Sequence, residues 1–149
     1  MHVVITTDGE AKPNPGRIRI GVIVEKPYRE GTEILSAITE DVGWGTNNEA
    51  EYKAILRGLN EANALGASSV VVYTDSQLCD RQLRGVYAIK NKSLKKIHSD
   101  IKAAEKGFDS VKYRWHRRDS GRGPQADALA KGGKSAQSVM EALCLTTLS

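Results

Sequence analysis

The stretch from Asn47 to Leu65 constrains the fold more than any other part of the chain. Thr46, Asn47 or Asn48 can cap a helix that begins here. Apolar side chains then recur every three or four residues, at Tyr52, Ile55, Leu56, Leu59, Ala62 and Leu65. Glu51 lies on the same stripe, so the pattern predicts an amphipathic helix with a carboxylate on its core-facing side. Because a buried carboxylate is unfavourable unless something pairs with it, Glu51 is either an acid at the rim of the core or part of a site.

An uninterrupted apolar run follows this helix. Gly66 is a typical residue for ending it, and Val70–Tyr73 has the composition of a central strand that is buried on both faces. A strand, a helix and a second strand in this order are joined by a right-handed crossover, which makes the two strands parallel. The sequence therefore indicates an α/β fold.

Three strands are predicted before the helix, at residues 2–7, 18–25 and 33–42. The connection Glu10–Gly16 is expected to be a rigid loop, because it contains two prolines and a glycine. Short turns join the three strands, which favours an antiparallel meander.

Helices are predicted at residues 76–84 and 93–106, with Ser93 as the cap of the second. Gly107 ends that helix, and the alternating residues 111–115 indicate a last strand.

The C-terminal part is less constrained. Pro124 suits the first turn of a helix from Gln125 to about Lys131 or Lys134. Residues 136–149 fit either a small helix through Leu143 or an added edge strand at Leu143–Leu145.

The composition is that of a soluble single domain of 149 residues, 40% hydrophobic and 27% charged. No run approaches the length of a membrane span, and Met1–Ile5 resembles a first strand more than a targeting leader. Cys79 and Cys144 are too few and too isolated for a disulfide framework, which favours a reducing, cytoplasmic compartment.

The net charge of +4 hides an asymmetry along the chain. Residues 81–118 contain twelve Lys or Arg and three acids, so this segment carries +9 and the remainder −5. Such a basic block is either a solvated surface or a contact for a polyanion such as nucleic acid.

Four acids occupy positions where carboxylates can meet. Asp8 follows the first strand and Asp75 follows the apolar run, while Glu51 and Asp127 lie in the first turns of helices. Taken singly, Asp8 could be a turn residue and Asp75 a helix cap. If the topology brings all four together, their repulsion calls for cations, and oxygen ligands of this kind suit Mg²⁺ or Mn²⁺. A pair of such ions about 3.5–4 Å apart can hold the attacking water and the leaving oxygen of a phosphodiester.

Five short motifs together resemble those of the ribonuclease H type 1 family. They are Asp8-Gly9, Asn14-Pro15-Gly16, Thr46-Asn47-Asn48-x-x-Glu51, Thr74-Asp75-Ser76-Gln77 and Ala126-Asp127-x-Leu129-Ala130. Each is modest alone, but all five in order are specific, and the resemblance covers about residues 3–134.

The resemblance implies an RNase H-like α/β fold, β-β-β-α-β-α-β-α, with a five-stranded mixed sheet and helices on both faces. Residues 1–135 would form the ribonuclease H domain, and residues 136–149 a C-terminal extension of it. It also implies cleavage of the RNA strand of RNA–DNA hybrids with two divalent ions, leaving a 5′-phosphate and a 3′-hydroxyl. Asp8 would bridge both ions, and Glu51, Asp75 and Asp127 would complete their coordination.

The resemblance also supplies substrate contacts. Groups that read the ribose 2′-hydroxyl in the minor groove would be the Gly9 backbone, Asn14, Asn48, Gln77 and Glu51 itself. Asn47 would touch the DNA strand or a base edge, and Thr46 would lie in a phosphate pocket for the DNA strand. Alternatively, the Asn pair serves only to cap the helix.

Three departures from the family pattern stand out. Arg117 occupies roughly the place of the mobile histidine that many members use in proton transfer or product release, with His116 beside it. Either residue could serve there, or the role could be absent, as in archaeal-like members. Residues 85–95 are too short for a protruding basic helix, for which Lys90, Lys92, Lys95 and Lys96 could partly compensate. Glu10 stands where a small polar residue is common.

The sequence thus predicts a monomeric, metal-dependent endoribonuclease that acts on RNA–DNA hybrids. Two alternatives remain open: a non-catalytic module that binds hybrid or double-stranded RNA, and a nuclease of the same fold that acts on another nucleic acid. A pure binding module would not need a carboxylate cluster, and the residues expected to read the 2′-hydroxyl argue against a DNA-specific nuclease.

Overall fold

The structure, a computed structural model, describes residues 1–132 and 135–148, with the side chains of all of these except residues 144–148. The strands are β1 (His2–Lys12), β2 (Gly16–Tyr28), β3 (Gly31–Gly45), β4 (Ser69–Thr74) and β5 (Ser110–Trp115). The helices are α1 (Asn47–Ala64), α2 (Gln77–Leu83), α3 (Lys92–Glu105), α4 (Gly123–Ala130) and α5 (Ala136–Leu148).

The strands form one sheet in the order β3-β2-β1-β4-β5. The pairs β1–β2 and β2–β3 are antiparallel, whereas β1–β4 and β4–β5 are parallel. This confirms the mixed five-stranded sheet. The carboxyl end of β4 lies beside the middle of β1, because β1 continues well past its last pairing with β4.

Helices cover both faces of the sheet. The first face packs on α1 and α3 through a large apolar cluster that includes Val3, Ile5, Tyr52, Ile55, Leu59 and Ile101. The second face packs on α4 and α5 through Ile23, Ile34, Ala126, Leu129, Val139 and Leu143. The apolar stripe predicted for α1 is therefore a core-facing surface, and Glu51 is buried with it.

On each face of the sheet, one helix approaches a strand unusually closely at a glycine. A Cβ on Gly9 of β1 would lie 2.3 Å from the Ala50 carbonyl oxygen of α1. A Cβ on Gly21 of β2 would lie 2.2 Å from the Ala126 carbonyl oxygen of α4. Gly21 pairs directly with Asp8, so these two contacts bring the starts of two helices to the same point on β1.

The limits of several elements differ from the prediction. β1 continues to Lys12 and β2 begins at Gly16, so the expected loop at Glu10–Gly16 is wrong for its first three residues and its last. Ala11 is buried in this extension, which gives the added strand an apolar anchor.

Asn91, not Ser93, caps α3, since its side chain accepts hydrogen bonds from the N–H groups of Ser93 and Leu94.

The C-terminal segment is helical over Ala136–Leu148, so the edge strand at Leu143–Leu145 is wrong. Helix α4 ends at Ala130 with Lys131 as its cap, and Lys134 lies outside the described residues. The side chain of Cys144 also lies outside them, while Cys79 is buried as a free thiol. Among the described residues, no helix combines the length and apolar character needed to cross a lipid bilayer.

Candidate active site

Asp8 lies at the centre of the candidate site. It lies on the face of β1 that is opposite to Val3 and Ile5, and its side chain is only 4% exposed. The Gly9 N–H donates a hydrogen bond of 3.0 Å to Asp8 Oδ1. Burial raises the pKa of Asp8 to about 7, and the negative charge of Asp75 and a hydrogen bond to Asp127 add to the effect.

Glu51 reaches Asp8 from the first turns of α1. The Thr46 hydroxyl caps this helix by accepting a hydrogen bond of 3.2 Å from the Glu49 N–H. Glu51 is buried, and its Oε2 has no hydrogen-bond partner among the described residues. Burial, followed by the charges of Asp8 and Asp75, raises the pKa of Glu51 well above its ordinary value.

Asp75 comes from the carboxyl end of β4, the place where open α/β sheets hold their ligands. One carboxylate oxygen from each of Asp8, Glu51 and Asp75 lies within 4.8 Å of the others. Ser76, not Asp75, caps α2, because its hydroxyl accepts the Cys79 N–H at 3.2 Å. The carboxylate of Asp75 is therefore available to the cluster.

Asp127 lies beside this triad rather than inside it. The carboxyl groups of Asp8 and Asp127 are close enough to share a hydrogen bond, and Lys131 Nζ lies 3.1 Å from Asp127 Oδ2. Burial alone would raise the pKa of Asp127, but these two partners lower it. The four carboxylates thus converge, with Asp127 at the more exposed side.

A cation of the protein already approaches the cluster. Arg118 Nε donates a hydrogen bond of 2.6 Å to Asp75 Oδ2. The contact with Asp75 raises the pKa of Arg118, so this guanidinium stays charged. The neighbouring Trp115 Nε1 donates to the Asp75 carbonyl oxygen at 3.0 Å. Sequence analysis missed both contacts, because nothing in the spacing of a polar loop shows which side chain turns towards Asp75.

The two residues suggested from the sequence in place of the mobile histidine, His116 and Arg117, form side-chain contacts with Ser120 and Asp119. His116 pairs with the Ser120 hydroxyl at 3.2 Å and packs edge-on against Tyr73, and burial lowers its pKa. It lines a cavity of about 470 Å³ on the second face of the sheet. Arg117 is exposed and forms an ion pair of 3.1 Å with Asp119.

The expected substrate contacts lie around the start of α1 and the end of β4. The Asn47 side chain accepts the Ala11 N–H at 2.8 Å, and the Asn14 side chain accepts the Asn47 N–H at 3.0 Å. Asn14 and Asn47 therefore fix the β1–β2 turn to α1, whatever else they contact. Asn48 is exposed beside them.

Gln77, also exposed, opens α2 and accepts a hydrogen bond of 2.9 Å from Arg81.

The fold and the carboxylate cluster together define a ribonuclease H-like protein. Residues 6–133 match the family described as reverse transcriptase-like. The chain is 33% identical over 136 residues to the bifunctional protein Rv2228c of Mycobacterium tuberculosis, a match that covers 91% of this chain and 36% of that protein. The chain thus spans about a third of the length of this curated relative.

Solved structures agree with this assignment. The N-terminal RNase H domain of Rv2228c superposes with a TM-score of 0.81 at 32% identity, covering 89% of this chain and 98% of that one. RNase H1 of Halobacterium salinarum superposes with a TM-score of 0.82 at 27% identity, covering 88% of this chain and 96% of that one. LC11-RNase H1, solved in complex with an RNA/DNA hybrid, superposes with a TM-score of 0.78 at 30% identity, covering 87% and 94%. The chain belongs to the ribonuclease H type 1 family, within the reverse transcriptase-like group.

Proposed function

We propose that this protein is an endoribonuclease that hydrolyses the RNA strand of RNA–DNA hybrids with the help of divalent cations. The observation that carries the proposal is the convergence of Asp8, Glu51 and Asp75 within 4.8 Å in a chain of this family. The complex of LC11-RNase H1 with an RNA/DNA hybrid supports the choice of substrate.

The site has the chemistry of a divalent-cation site. Its donors are carboxylate oxygens, which Mg²⁺ and Mn²⁺ prefer. Three acids at this separation repel one another, and the buried Oε2 of Glu51 has no partner of its own among the described side chains. Asp8, Glu51 and Asp75 would hold the cations, with Asp127 completing the set from the exposed side. Bound there, two cations would generate the attacking hydroxide and neutralise the charge that develops on the phosphate.

The residues of the chain position the substrate around this centre. In this proposal the Gly9 backbone, Asn14, Asn48, Gln77 and Glu51 read the 2′-hydroxyls of the RNA strand. Thr46 and Asn47 contact the DNA strand across the groove. The products would carry a 5′-phosphate and a 3′-hydroxyl.

Arg118 is the side chain best placed to take the role that the family gives to a mobile histidine. It already contacts Asp75, and with Trp115, Arg117 and Asp127 it lines a cavity of about 520 Å³ at the exposed edge of the cluster. A permanent cation at this place would stabilise negative charge on the scissile phosphate or on the product.

The decisive experiment is cleavage of a labelled hybrid with Mg²⁺ and with Mn²⁺. The parent should cut the RNA strand, while Asp8→Asn and Asp75→Asn should abolish cutting. Asp109→Asn is the matched control, because this acid is exposed and lies just before β5, at the end of the strand opposite to the site. Equal rates for the parent and the two site variants would eliminate the proposal. Parallel reactions on duplex DNA and duplex RNA separate a hybrid-specific enzyme from a nuclease with another substrate, and binding without cleavage would indicate a binding module.

We further propose a monomer that functions in the cytoplasm, with residues 1–135 as the ribonuclease H domain and residues 136–149 as its extension. The packing of Val139 and Leu143 on Ile23 and Ile34 supports an extension that belongs to the same core. Sedimentation of the full chain would test the monomer.

A further inference from the structure

Three exposed side chains form a row across one edge of the sheet, at the end of β1, the start of β2 and the end of β3. Lys12 pairs with Arg17 in the register, and Arg17 pairs with Trp44. Directly opposed residues of antiparallel strands project from the same face of a sheet. Trp44 is 65% exposed, the largest exposed fraction among the large hydrophobic side chains described. Lys12, Arg17 and Trp44 are called the Trp44 row below.

The Trp44 row lies on the same face of the sheet as Asp8. Asp8 and Lys12 are four residues apart on β1 and therefore share a face. At a rise of about 3.3 Å per residue, the row begins roughly 13 Å from Asp8. Between them lies a shallow cavity of about 180 Å³ that is lined by Glu10, Lys12, Arg17, Arg19, Asp41 and Lys131. Four cations and two acids make this surface net positive.

The side chains of the row suit a particular ligand. An exposed aromatic ring beside cations can stack on an unpaired base while the cations contact its phosphates. Inside a duplex each base already stacks on its neighbours. An exposed indole is therefore better suited to stack on a base of an unpaired strand. Arg17 is held in place by an ion pair of 2.7 Å with Asp41, which leaves Lys12 to supply the stronger attraction for phosphate.

We propose that the Trp44 row binds a single-stranded extension of the DNA strand where that strand leaves the hybrid. This inference rests on the proposed function, because it takes the RNA strand to lie at the carboxylate cluster. The row begins roughly 13 Å from Asp8, too far for Lys12 to contact a phosphate held at the carboxylates, which leaves it for phosphates of the opposite strand. Trp44 also precedes Thr46, the proposed DNA-strand contact, by only two residues.

The test measures affinity without hydrolysis, by fluorescence anisotropy of the full chain in EDTA. The probes are one short hybrid with blunt ends and the same hybrid with a DNA or an RNA tail at either the 5′ or the 3′ side. One DNA tail should tighten binding at least about fivefold, the lower limit for stacking of one base on an aromatic side chain. Trp44→Ala should bring the ratio of tailed to blunt affinity close to one, whereas Trp44→Phe should keep part of it.

Tyr28→Ala is the matched control, since Tyr28 is 51% exposed at the opposite end of β2. It should leave the ratio unchanged. Indole fluorescence gives a second readout, because the chain has only two tryptophans. Trp115 lines the cavity at the carboxylate cluster and can respond to either hybrid, so the readout is the additional quenching caused by the tail. This additional quenching should occur in the parent and be absent in Trp44→Phe.

Several outcomes would overturn the inference. The first two are a ratio of tailed to blunt affinity near one in the parent, and a ratio in Trp44→Ala that equals that of the parent. The other two are an equal gain in affinity from all four tails, and a gain in affinity from an RNA tail alone. Failure of the proposed function looks different, because the blunt hybrid would then stay intact with Mg²⁺ and Mn²⁺ while the binding ratios remained measurable.

Discussion

At the scale of single residues, two carboxyl groups of the site are buried and repel one another when they are ionised. Asp8 and Glu51 are buried together, and the pKa values of both are raised, that of Asp8 to about 7. The folded, metal-free protein therefore retains protons that the unfolded chain releases above a pH of about 4. A raised pKa in the folded state makes stability fall as the pH rises towards and through 7. The acids that are proposed to hold cations thus destabilise the fold when no cation is present.

Asp8→Asn should consequently stabilise the metal-free protein. At pH 8 in EDTA we expect its free energy of unfolding to exceed that of the parent by about 1–3 kcal/mol, since a charge that burial disfavours is removed. At pH 5 the difference should shrink, because the parent is then protonated. Urea denaturation at the two values checks this, with Asp119→Asn as control. A variant less stable than the parent at pH 8 would contradict the electrostatic account.

Arg118 and Arg117 are adjacent but should behave differently. Arg118→Ala removes the cation that contacts Asp75, so turnover with saturating Mg²⁺ should fall at least about tenfold. Arg117→Ala removes an exposed pair with Asp119 at the rim of the same cavity and should stay within about twofold of the parent. Steady-state cleavage of a hybrid by the two variants gives the comparison. A larger loss for Arg117→Ala would transfer the role to that residue.

At the scale of elements, the position of α4 depends on one glycine. Gly21 pairs with Asp8 and lies directly under the Ala126 carbonyl, so any side chain at this position must displace the helix that carries Asp127. The Thr39 hydroxyl donates a hydrogen bond of 2.7 Å to the Leu129 carbonyl oxygen, which holds the same helix at its other end.

Gly21→Ala should therefore damage stability and activity together. We expect the free energy of unfolding to fall by about 1–3 kcal/mol, the usual effect of overpacking, and cleavage to slow because Asp127 is displaced. Gly31→Ala is a matched control in the same sheet, since a Cβ there has no atom within 4 Å. Thermal denaturation and hybrid cleavage test both. If Gly21→Ala keeps the stability and the cleavage rate of the parent, the close contact between Gly21 and α4 is not needed for either.

The order and type of the elements could be predicted from the sequence, because the apolar periodicity of α1 and the apolar run of β4 are strong local signals. The first and last residues of these elements could not be predicted. β1 runs past the turn-like Asp8–Gly9 because pairing with β2 continues to Arg17, a tertiary effect. Asn91 and Ser93 are both good caps, and only the docking of α3 selects between them.

The convergence of the carboxylates could also be anticipated, because Asp8 and Asp75 follow from the strand topology and Glu51 from helical spacing. The contact made by Arg118 could not. Three consecutive basic or imidazole side chains in a loop have no periodicity, so their directions depend on how that loop packs against β4 and α4. The Trp44 row could not be predicted from the sequence either, because it depends on the register between three strands.

At the scale of the whole molecule, the basic block reaches the carboxylates only through its last residue, Arg118, among the residues that the structure describes. Lys90, Lys92 and Lys95 are exposed around the start of α3, which packs on the first face of the sheet. Hybrid affinity should fall steeply with salt, because bound phosphates release counterions. Replacing these three lysines together by Gln should reduce the slope of log affinity against log salt by about two to three.

Lys26→Gln at the far end of β2 should leave that slope unchanged. Anisotropy titrations over a range of salt concentrations provide the measurement. An identical slope for the triple variant and the parent would show that the block is only a solvated surface.

The hydrogen bonds that join Asn14, Asn47 and Ala11 bear on the sugar selectivity that the proposed function requires. They hold the β1–β2 turn against the start of α1 before any nucleic acid arrives. The loss of entropy needed to order this edge therefore occurs during folding and not during binding. In the proposed function, a deoxyribose would meet the same rigid edge and leave the polar groups that read the 2′-hydroxyl without a partner. Discrimination between the two sugars would then follow from the resting shape of the protein.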